Sequence, residues 1–278
     1  MSPGVFLAVL GAALLHATWN GLIRVGTNRI GTMLVMTVSQ AGLGLVIAAT
    51  RPWPAVDVWA WLIASGALHA VYKLFLTFAY EHGDLSRVYP IARGAAPALV
   101  LAAGLLFLSE PMSRWEVLGI AVLIAGILTM ARGVFTSGES LRILPLALGS
   151  ALATAGYSVV DGLGARIAGD AVQFVAWLFL FDALLFLPVA LWLRGRAIWI
   201  APGRAWAPGI GGAAASYAAY AIAVWAMTRA PIPLVTALRE TSILFAVLIG
   251  WLIFGEPMSR GKALAAGLIL AGVVLTRL

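Results

Sequence analysis

The 278-residue chain contains no cysteine, which excludes disulfide bonds and thiolate-bound metal sites. Charged residues are also scarce: Asp, Glu, Lys and Arg make up 10% of the sequence, against roughly 25% in an average soluble domain. Hydrophobic residues reach 62%. The chain therefore contains many apolar segments of about the length needed to cross a bilayer, which takes about 20 residues in a helix. The composition predicts an all-α polytopic membrane protein without a soluble domain.

The sequence also lacks the motifs of common enzyme classes. It has no Walker phosphate loop, no HExxH metal motif and no GxSxG nucleophile motif, and it has only three histidines. These absences argue against ATP hydrolysis by this chain. They also make an intramembrane enzyme the more distant alternative to a non-enzymatic membrane function. We expect neither a metal ion nor a cofactor.

The formal net charge of +7 comes from Lys and Arg residues that are scattered singly between the apolar segments. No basic run or aromatic-basic stripe, as would be typical of nucleic-acid binding, is present. We therefore expect the positive charges to contact anionic lipid headgroups rather than nucleic acid.

Ten apolar segments, bounded by charged residues, Pro or Gly, predict ten transmembrane helices. The first five are 3–24, 30–50, 58–80, 85–108 and 114–132. The second five are 142–163, 172–193, 205–227, 231–254 and 260–277. The first segment has no positively charged stretch before it, so we expect a spanning helix there rather than a cleaved signal peptide.

The two halves of the chain repeat each other. The sequence EPMSR occurs at residues 110–114 and again at 256–260, in each case between an apolar helix and a last Gly/Ala-rich helix. We expect one five-helix repeat over residues 1–132 and a second over 142–278. Because five is odd, the second repeat enters the membrane inverted. This architecture is typical of secondary transporters, with the substrate at the repeat interface. The alternative is a duplicated scaffold without transport.

Several motifs support this interpretation. They are HATWNG at residues 16–21, HGDLS at 82–86, VYPIARG at 88–94 and the two Glu-Pro loops. With them the whole chain resembles EamA-type members of the drug/metabolite transporter superfamily, and in particular a bacterial subgroup sometimes found beside phosphonate-utilisation genes. The resemblance implies a ten-helix carrier of small metabolites, often an exporter, in the bacterial inner membrane with both termini cytoplasmic.

The distribution of positive charge opposes that orientation. With cytoplasmic termini, the inner side would carry only Arg51, Arg114, Arg166, Arg229 and Arg277. The outer side would carry Arg24, Arg29, Arg87, Arg132, Arg142, Arg194, Arg196, Arg204, Arg260 and Lys262. The positive-inside rule therefore predicts the opposite orientation, with the termini outside the cytoplasm, and the sequence leaves the orientation open.

Ionisable residues within the predicted spans are costly and mark functional candidates. Arg93 and Arg239 stand 146 residues apart, which is also the offset between the EPMSR copies. Each is the ninth residue of its span, about 5 Å from mid-membrane at a rise of about 1.5 Å per residue. We expect them on opposite sides of the midplane, each able to clamp a carboxylate or phosphate at one gate. The alternative is that each pairs with Asp182, Glu240 or a helix-end carbonyl and holds the bundle together. Pro90 and Pro97 around Arg93 predict a break or kink in its helix.

Polar residues at helical spacing form one face on three spans. These faces comprise His69, Lys73, Thr77 and Tyr80 on the third span, His16, Asn20 and Arg24 on the first, and Ser150, Thr154, Tyr157 and Asp161 on the sixth. The candidate substrate-binding residues are Arg93, Arg239, Lys73, Asn20, Tyr157, Tyr220 and Tyr89 of the VYPIARG motif.

Five residues are candidates for carrying a coupling proton: Asp182, Glu240, Asp161, His16 and His69. Asp182 leads because it lies near the middle of its span, although a structural ion pair with Lys73 or an Arg is an equal alternative. In the spans, Lys73, Arg93 and Arg239 oppose Asp182 and Glu240. This balance favours an anionic or zwitterionic metabolite as substrate. A lipid or lipid-linked sugar flippase is the alternative, and a homo-oligomer is possible.

Overall fold

The computed structural model describes residues 1–23, 29–82, 85–135, 143–195, 206–253 and 255–278. Within these ranges, it describes the backbone alone for residues 20–23, 29–33, 77, 80–82, 85–92, 131–135, 143, 194 and 206–208. Every regular element of the described part is helical, as the composition predicted.

The first repeat contains α1 (Pro3–Ile23), α2 (Arg29–Ala48), α3 (Trp59–His82), α4 (Leu85–Ala103) and α5 (Arg114–Phe135). The second contains α6 (Ile143–Ala168), α7 (Ala171–Arg194), α8 (Trp206–Met227), α9 (Ile232–Arg239), α10 (Ser242–Leu252) and α11 (Arg260–Leu275). A 3₁₀ turn at Val56–Val58 precedes α3, and a π-helical turn at Gly104–Leu108 ends the fourth span. The elements coincide with the ten predicted spans, except that the ninth span consists of two helices.

The break in the ninth span lies at Glu240 and Thr241, between α9 and α10. There the backbone N–H groups of these two residues bond to carbonyls three positions back, those of Ala237 and Leu238, as in a 3₁₀ turn. The equivalent helix of the first repeat, α4, is continuous through Pro90 and Pro97. The break that the prolines predicted beside Arg93 is therefore absent, and the interruption lies beside Arg239.

Each helix of the first repeat contacts helices of the second repeat, and its counterpart in the second repeat makes the equivalent contacts with the first. Helix α3 packs on α6 and α7, and its counterpart α8 packs on α1 and α2. Helix α4 packs on α6, just as α9 and α10 pack on α1. The last helices of the two repeats, α5 and α11, lie against each other at Gly119 and Gly272, where a methyl group on either glycine would overlap the facing backbone.

Large apolar side chains cover much of the outer surface. Phe107, Trp192 and Leu252 are each more than two-thirds exposed, as expected of side chains that face lipid. Among the described residues, five helical segments are both long and apolar enough to span a bilayer, and three apolar helices are shorter. The five are Val56–Leu76, Leu144–Ala168, Ala171–Leu193, Gly209–Met227 and Ile232–Leu252. The charged side chains of the bundle interior are buried away from this apolar surface.

Candidate substrate site at the repeat interface

The first polar cluster joins the two repeats at the break between α9 and α10. Glu240, at the end of α9, is 2% exposed, and its Oε2 lies 3.2 Å from Nε of Arg93 on α4. Nη2 of Arg93 lies 2.6 Å from Nε2 of His16 on α1. Because a guanidinium has no acceptor, this His16 nitrogen accepts the hydrogen bond and the imidazole is neutral. Arg93 is therefore held by an acid and an imidazole.

Arg239 lies next to this cluster but is held differently. Its guanidinium carbon lies 5.1 Å from the ring centre of Tyr220 on α8, in a cation–π contact. Its charge lies close enough to the Glu240 carboxyl to interact with it electrostatically. Within the described part of the chain, however, no hydrogen bond or ion pair of the Arg239 guanidinium is found. Arg239 thus brings a buried positive charge whose hydrogen-bond donors remain available to a ligand.

A third set of contacts surrounds Asp161 on α6, which has no exposed surface. Its Oδ2 accepts a hydrogen bond from the Tyr220 hydroxyl and lies 3.1 Å from Nε2 of His69. The imidazole of His69 stacks on the ring of Tyr157 with centroids 4.0 Å apart. Tyr220 therefore touches Arg239 through its ring and Asp161 through its hydroxyl, connecting the guanidinium to this acid.

A separate ion pair lies between α3 and α7. Nζ of Lys73 is 2.5 Å from Oδ2 of Asp182 and donates a second hydrogen bond of 2.8 Å to Oγ1 of Thr37. The ammonium group also lies 5.1 Å from the ring centre of Phe186. The positive charge of Lys73 is therefore balanced inside the protein, and this pair corresponds to the structural alternative proposed for Asp182.

The predicted candidates thus form two groups. Arg93, Arg239, Glu240 and His16 gather at the helix break, and Tyr220, Tyr157, Asp161 and His69 continue from it along α6 and α8. Lys73 and Asp182 pair with each other. The side chains of Asn20 and Tyr89 lie outside those that the structure describes.

Sequence reasoning missed the polar groups on either side of the break. The hydroxyls of Thr236 and Ser242 are buried, and neither has a hydrogen-bond partner in the described part of the chain. Thr236 precedes Arg239 by three residues, so the two share one face of α9. That spacing was the signal available in the sequence. Among the described residues, no group of three or more metal-ligating side chains is close enough to hold a metal ion.

Polar contacts between the repeats cover one end of the bundle. Arg166 at the end of α6 pairs with Glu110 of the first EPMSR loop at 2.7 Å. It also donates to the carbonyls of Met227, the last residue of α8, and of Ala230 in the loop that follows. Arg51 pairs with Asp170 at 2.9 Å. These contacts join loops of opposite repeats, so this end of the bundle is closed over the central cluster.

The comparisons with known proteins agree with this architecture. Residues 2–132 and residues 141–278 match the EamA-like transporter family, so that almost the whole chain is covered by two copies. The chain belongs to the EamA-like transporter family. The two-repeat architecture and the predicted family are therefore confirmed, and this family consists of membrane transporters rather than enzymes.

A solved structure described as "Crystal structure of protein" has the same fold, with a TM-score of 0.79. It is 19% identical in sequence, and the alignment covers 100% of this chain and 99% of the other. At that identity the likeness shows the EamA fold alone. No curated protein matches the chain.

Proposed function

We propose that this EamA-like protein is a secondary transporter of a small polar metabolite that carries a carboxylate, either an organic anion or a zwitterion. The observation that carries the proposal is Arg239, a buried guanidinium beside an interrupted helix with no counter-ion in the described part of the chain. A guanidinium offers a planar fork of donors that matches a carboxylate.

The balance of buried charge supports an anionic group on the substrate. Lys73 is neutralised by Asp182, and Arg93 is neutralised by Glu240. In the described part of the chain Arg239 forms no ion pair, and its guanidinium lies over the face of Tyr220. An unpaired charge in a medium of low polarity is costly, so a bound carboxylate would stabilise the site.

The rings beside Arg239 offer contacts of a second kind. Tyr157, Tyr220 and His69 stand edge to face or stacked around Asp161, with centroids between 4.0 and 6.1 Å apart. Aromatic faces next to a carboxylate attract a substrate ammonium group. This arrangement supports zwitterions as substrates along with simple anions.

Alternating access would use the inverted repeats and the break at Glu240 and Thr241. Interrupted helices at mid-membrane are typical of secondary carriers, in which one repeat moves against the other around a fixed site. The end of the bundle closed by Glu110 and Arg166 would open as the opposite end closes.

We further propose a bacterial inner-membrane location with cytoplasmic termini and export as the usual direction, in keeping with the family. Membrane lipids surround the protein and a homo-oligomer is compatible with this function.

The test is transport by purified protein in proteoliposomes with a panel chosen by chemistry. The panel contains L-lactate, succinate, L-alanine, L-glutamate, glycerol 3-phosphate and, as a cation, choline. Uptake and efflux of at least one carboxylate are expected for the wild type, with a strong loss in Arg239→Gln. The matched control is Arg229→Gln, which removes a positive charge from the loop before α9. Transport of choline alone, or of none of the six compounds, would reject the proposal.

A further inference from the structure

Among the described residues, three acids are buried in the spans, and they have different partners. Asp182 faces the ammonium of Lys73, and Glu240 faces the guanidinium of Arg93. Within the part of the chain that the structure describes, Asp161 pairs with neither a Lys nor an Arg. Among those residues its basic partner is His69, an imidazole that is a cation only when it is protonated. The positive charge that balances Asp161 is therefore present only when His69 is protonated.

The surroundings of Asp161 leave little else to balance its charge. It has no exposed surface, and its second oxygen, Oδ1, has no hydrogen-bond partner among the described residues. Tyr220 of α8 donates to Oδ2. Among the described residues, the ionisable groups on the elements packed around this acid include Tyr72 of α3 and Tyr157 of α6, which contact the ring of His69, and Tyr217 of α8. Arg239 of α9 lies over Tyr220. Arg93 of α4 faces Glu240 and His16, and Asp182 of α7 faces Lys73.

Charge counting relates this acid to the substrate site. With one shared proton, Asp161 and His69 are neutral together, either as acid and imidazole or as carboxylate and imidazolium. Without that proton, the pair carries one negative charge in a buried place. Among the described residues, Arg239 supplies a positive charge without an ion-pair partner, over the face of the same Tyr220 whose hydroxyl bonds Asp161. A carboxylate bound to Arg239 would remove that compensation, so the pair would then hold its proton more tightly.

We propose that Asp161 and His69 form a proton-binding site coupled through Tyr220 to Arg239, so that a carboxylate substrate and a proton bind together and cross the membrane together. This inference rests on the proposed function and deepens it by naming the coupling ion and its site. Because such coupling is reciprocal, the substrate raises proton affinity by the factor by which the proton raises substrate affinity. The net direction follows the combined gradients, which permits efflux of an accumulated product as well as uptake.

The first test needs no substrate. The carbonyl stretch of a protonated carboxylic acid is followed by infrared difference spectroscopy on the purified protein in lipid, between about pH 5 and 8. We expect a pH-dependent band that is absent from Asp161→Asn and altered in His69→Gln. It should be unchanged in the control Asp57→Asn, which removes an exposed acid before α3. If the pH-dependent spectra of the wild type and of Asp161→Asn are the same in the carboxylic acid and carboxylate regions, Asp161 does not bind the proton and the proposed site is overturned.

The second test uses proteoliposomes and the same carboxylate panel. Wild-type accumulation of the transported compound should increase when the compound's starting side is made acidic. In Asp161→Asn the ratio of accumulation with and without the pH gradient should fall to about one, whatever rate of transport remains. A gradient response that persists in Asp161→Asn overturns the coupling but leaves the carboxylate transporter intact. If the wild-type protein transports none of the carboxylates, the proposed function is rejected instead.

Discussion

At the scale of single residues, the burial of charge determines what each substitution will do. A buried ion pair stabilises a protein little compared with an apolar pair of equal volume, but removing one partner leaves an uncompensated charge and costs about 3–5 kcal/mol. Lys73 and Asp182 are such a pair, 6% and 0% exposed. Arg239 has no such partner within the described chain, which makes its substitution informative about ligand binding rather than stability.

The pair of Lys73 and Asp182 gives the first prediction. Asp182→Asn should lower the melting temperature in detergent by several degrees because Lys73 loses its counter-ion, and exchange and accumulation should fall together. The double variant Lys73→Met/Asp182→Leu should recover most of the melting temperature. If Asp182→Asn instead keeps its stability and its exchange activity but loses gradient-driven accumulation, Asp182 carries the proton.

The two equivalent arginines give the second prediction. Arg239→Lys should weaken carboxylate binding roughly 10- to 100-fold, which corresponds to the loss of about 1.5–3 kcal/mol for a hydrogen bond to a charged group. Arg93→Lys should impair transport as well, through its contact with Glu240. Binding is measured from each face of the membrane separately. The two-gate hypothesis requires opposite sidedness, and equal losses from both faces would assign both arginines to one site.

At the scale of elements, loop contacts between the repeats close one end of the bundle. Glu110 is 6% exposed in its side chain and pairs with Arg166, which also holds the carbonyls beyond α8. The loop between α10 and α11 carries the second EPMSR copy, in which Glu256 contacts Lys262 at 3.4 Å. The first copy therefore makes a contact between the repeats, whereas Glu256 of the second copy contacts Lys262 in the first turn of α11.

The third prediction concerns this closure. Thr236→Cys introduces a thiol one turn from Arg239 in a chain without other cysteines. A membrane-impermeant maleimide applied from the side of the termini should label it slowly in the native background and several-fold faster with Glu110→Gln. Glu256→Gln, the equivalent change in the other repeat, serves as the matched control and should not accelerate labelling from that side. Equal acceleration by both variants would show that Glu110 has no specific role in closure.

At the scale of the whole molecule, the repeats decide the topology. The amino terminus lies 3.9 Å from Glu116 at the start of α5, and Arg277 donates to the carbonyl of Met1. Both termini are therefore on the same face as the first EPMSR loop. The equivalent helix contacts made by the two repeats fit a two-fold relation between residues 3–132 and 142–277. We predict that its axis lies in the membrane plane.

Cysteine labelling tests the fourth prediction without a new structure. Ser113→Cys and Ser259→Cys place one thiol in each EPMSR loop, and inverted repeats require them to be labelled from opposite faces in oriented vesicles. Ser2→Cys should share the face of Ser113→Cys, and its sidedness in the cell decides between the family orientation and the positive-inside count. Labelling of both loop positions from one face would contradict the inversion.

The sequence by itself determined the membrane class, the ten spans, the duplication and the short set of charged residues within the spans. These features depend on local hydropathy and on repetition along the chain, which need no knowledge of distant contacts. The equivalence of Arg93 and Arg239 also follows from their spacing alone.

Only the tertiary structure decided which charges are balanced and where the helix is interrupted. Lys73 and Asp182 are 109 residues apart, so their pairing depends on how α3 packs against α7. No Pro or Gly lies at the break beside Glu240, so the sequence does not indicate that the helix ends there, whereas α4 continues through two prolines. Arg93 and Arg239 look alike in sequence. They differ in the structure because Glu240, supplied by the second repeat, pairs with the arginine of the first and leaves the other beside Tyr220.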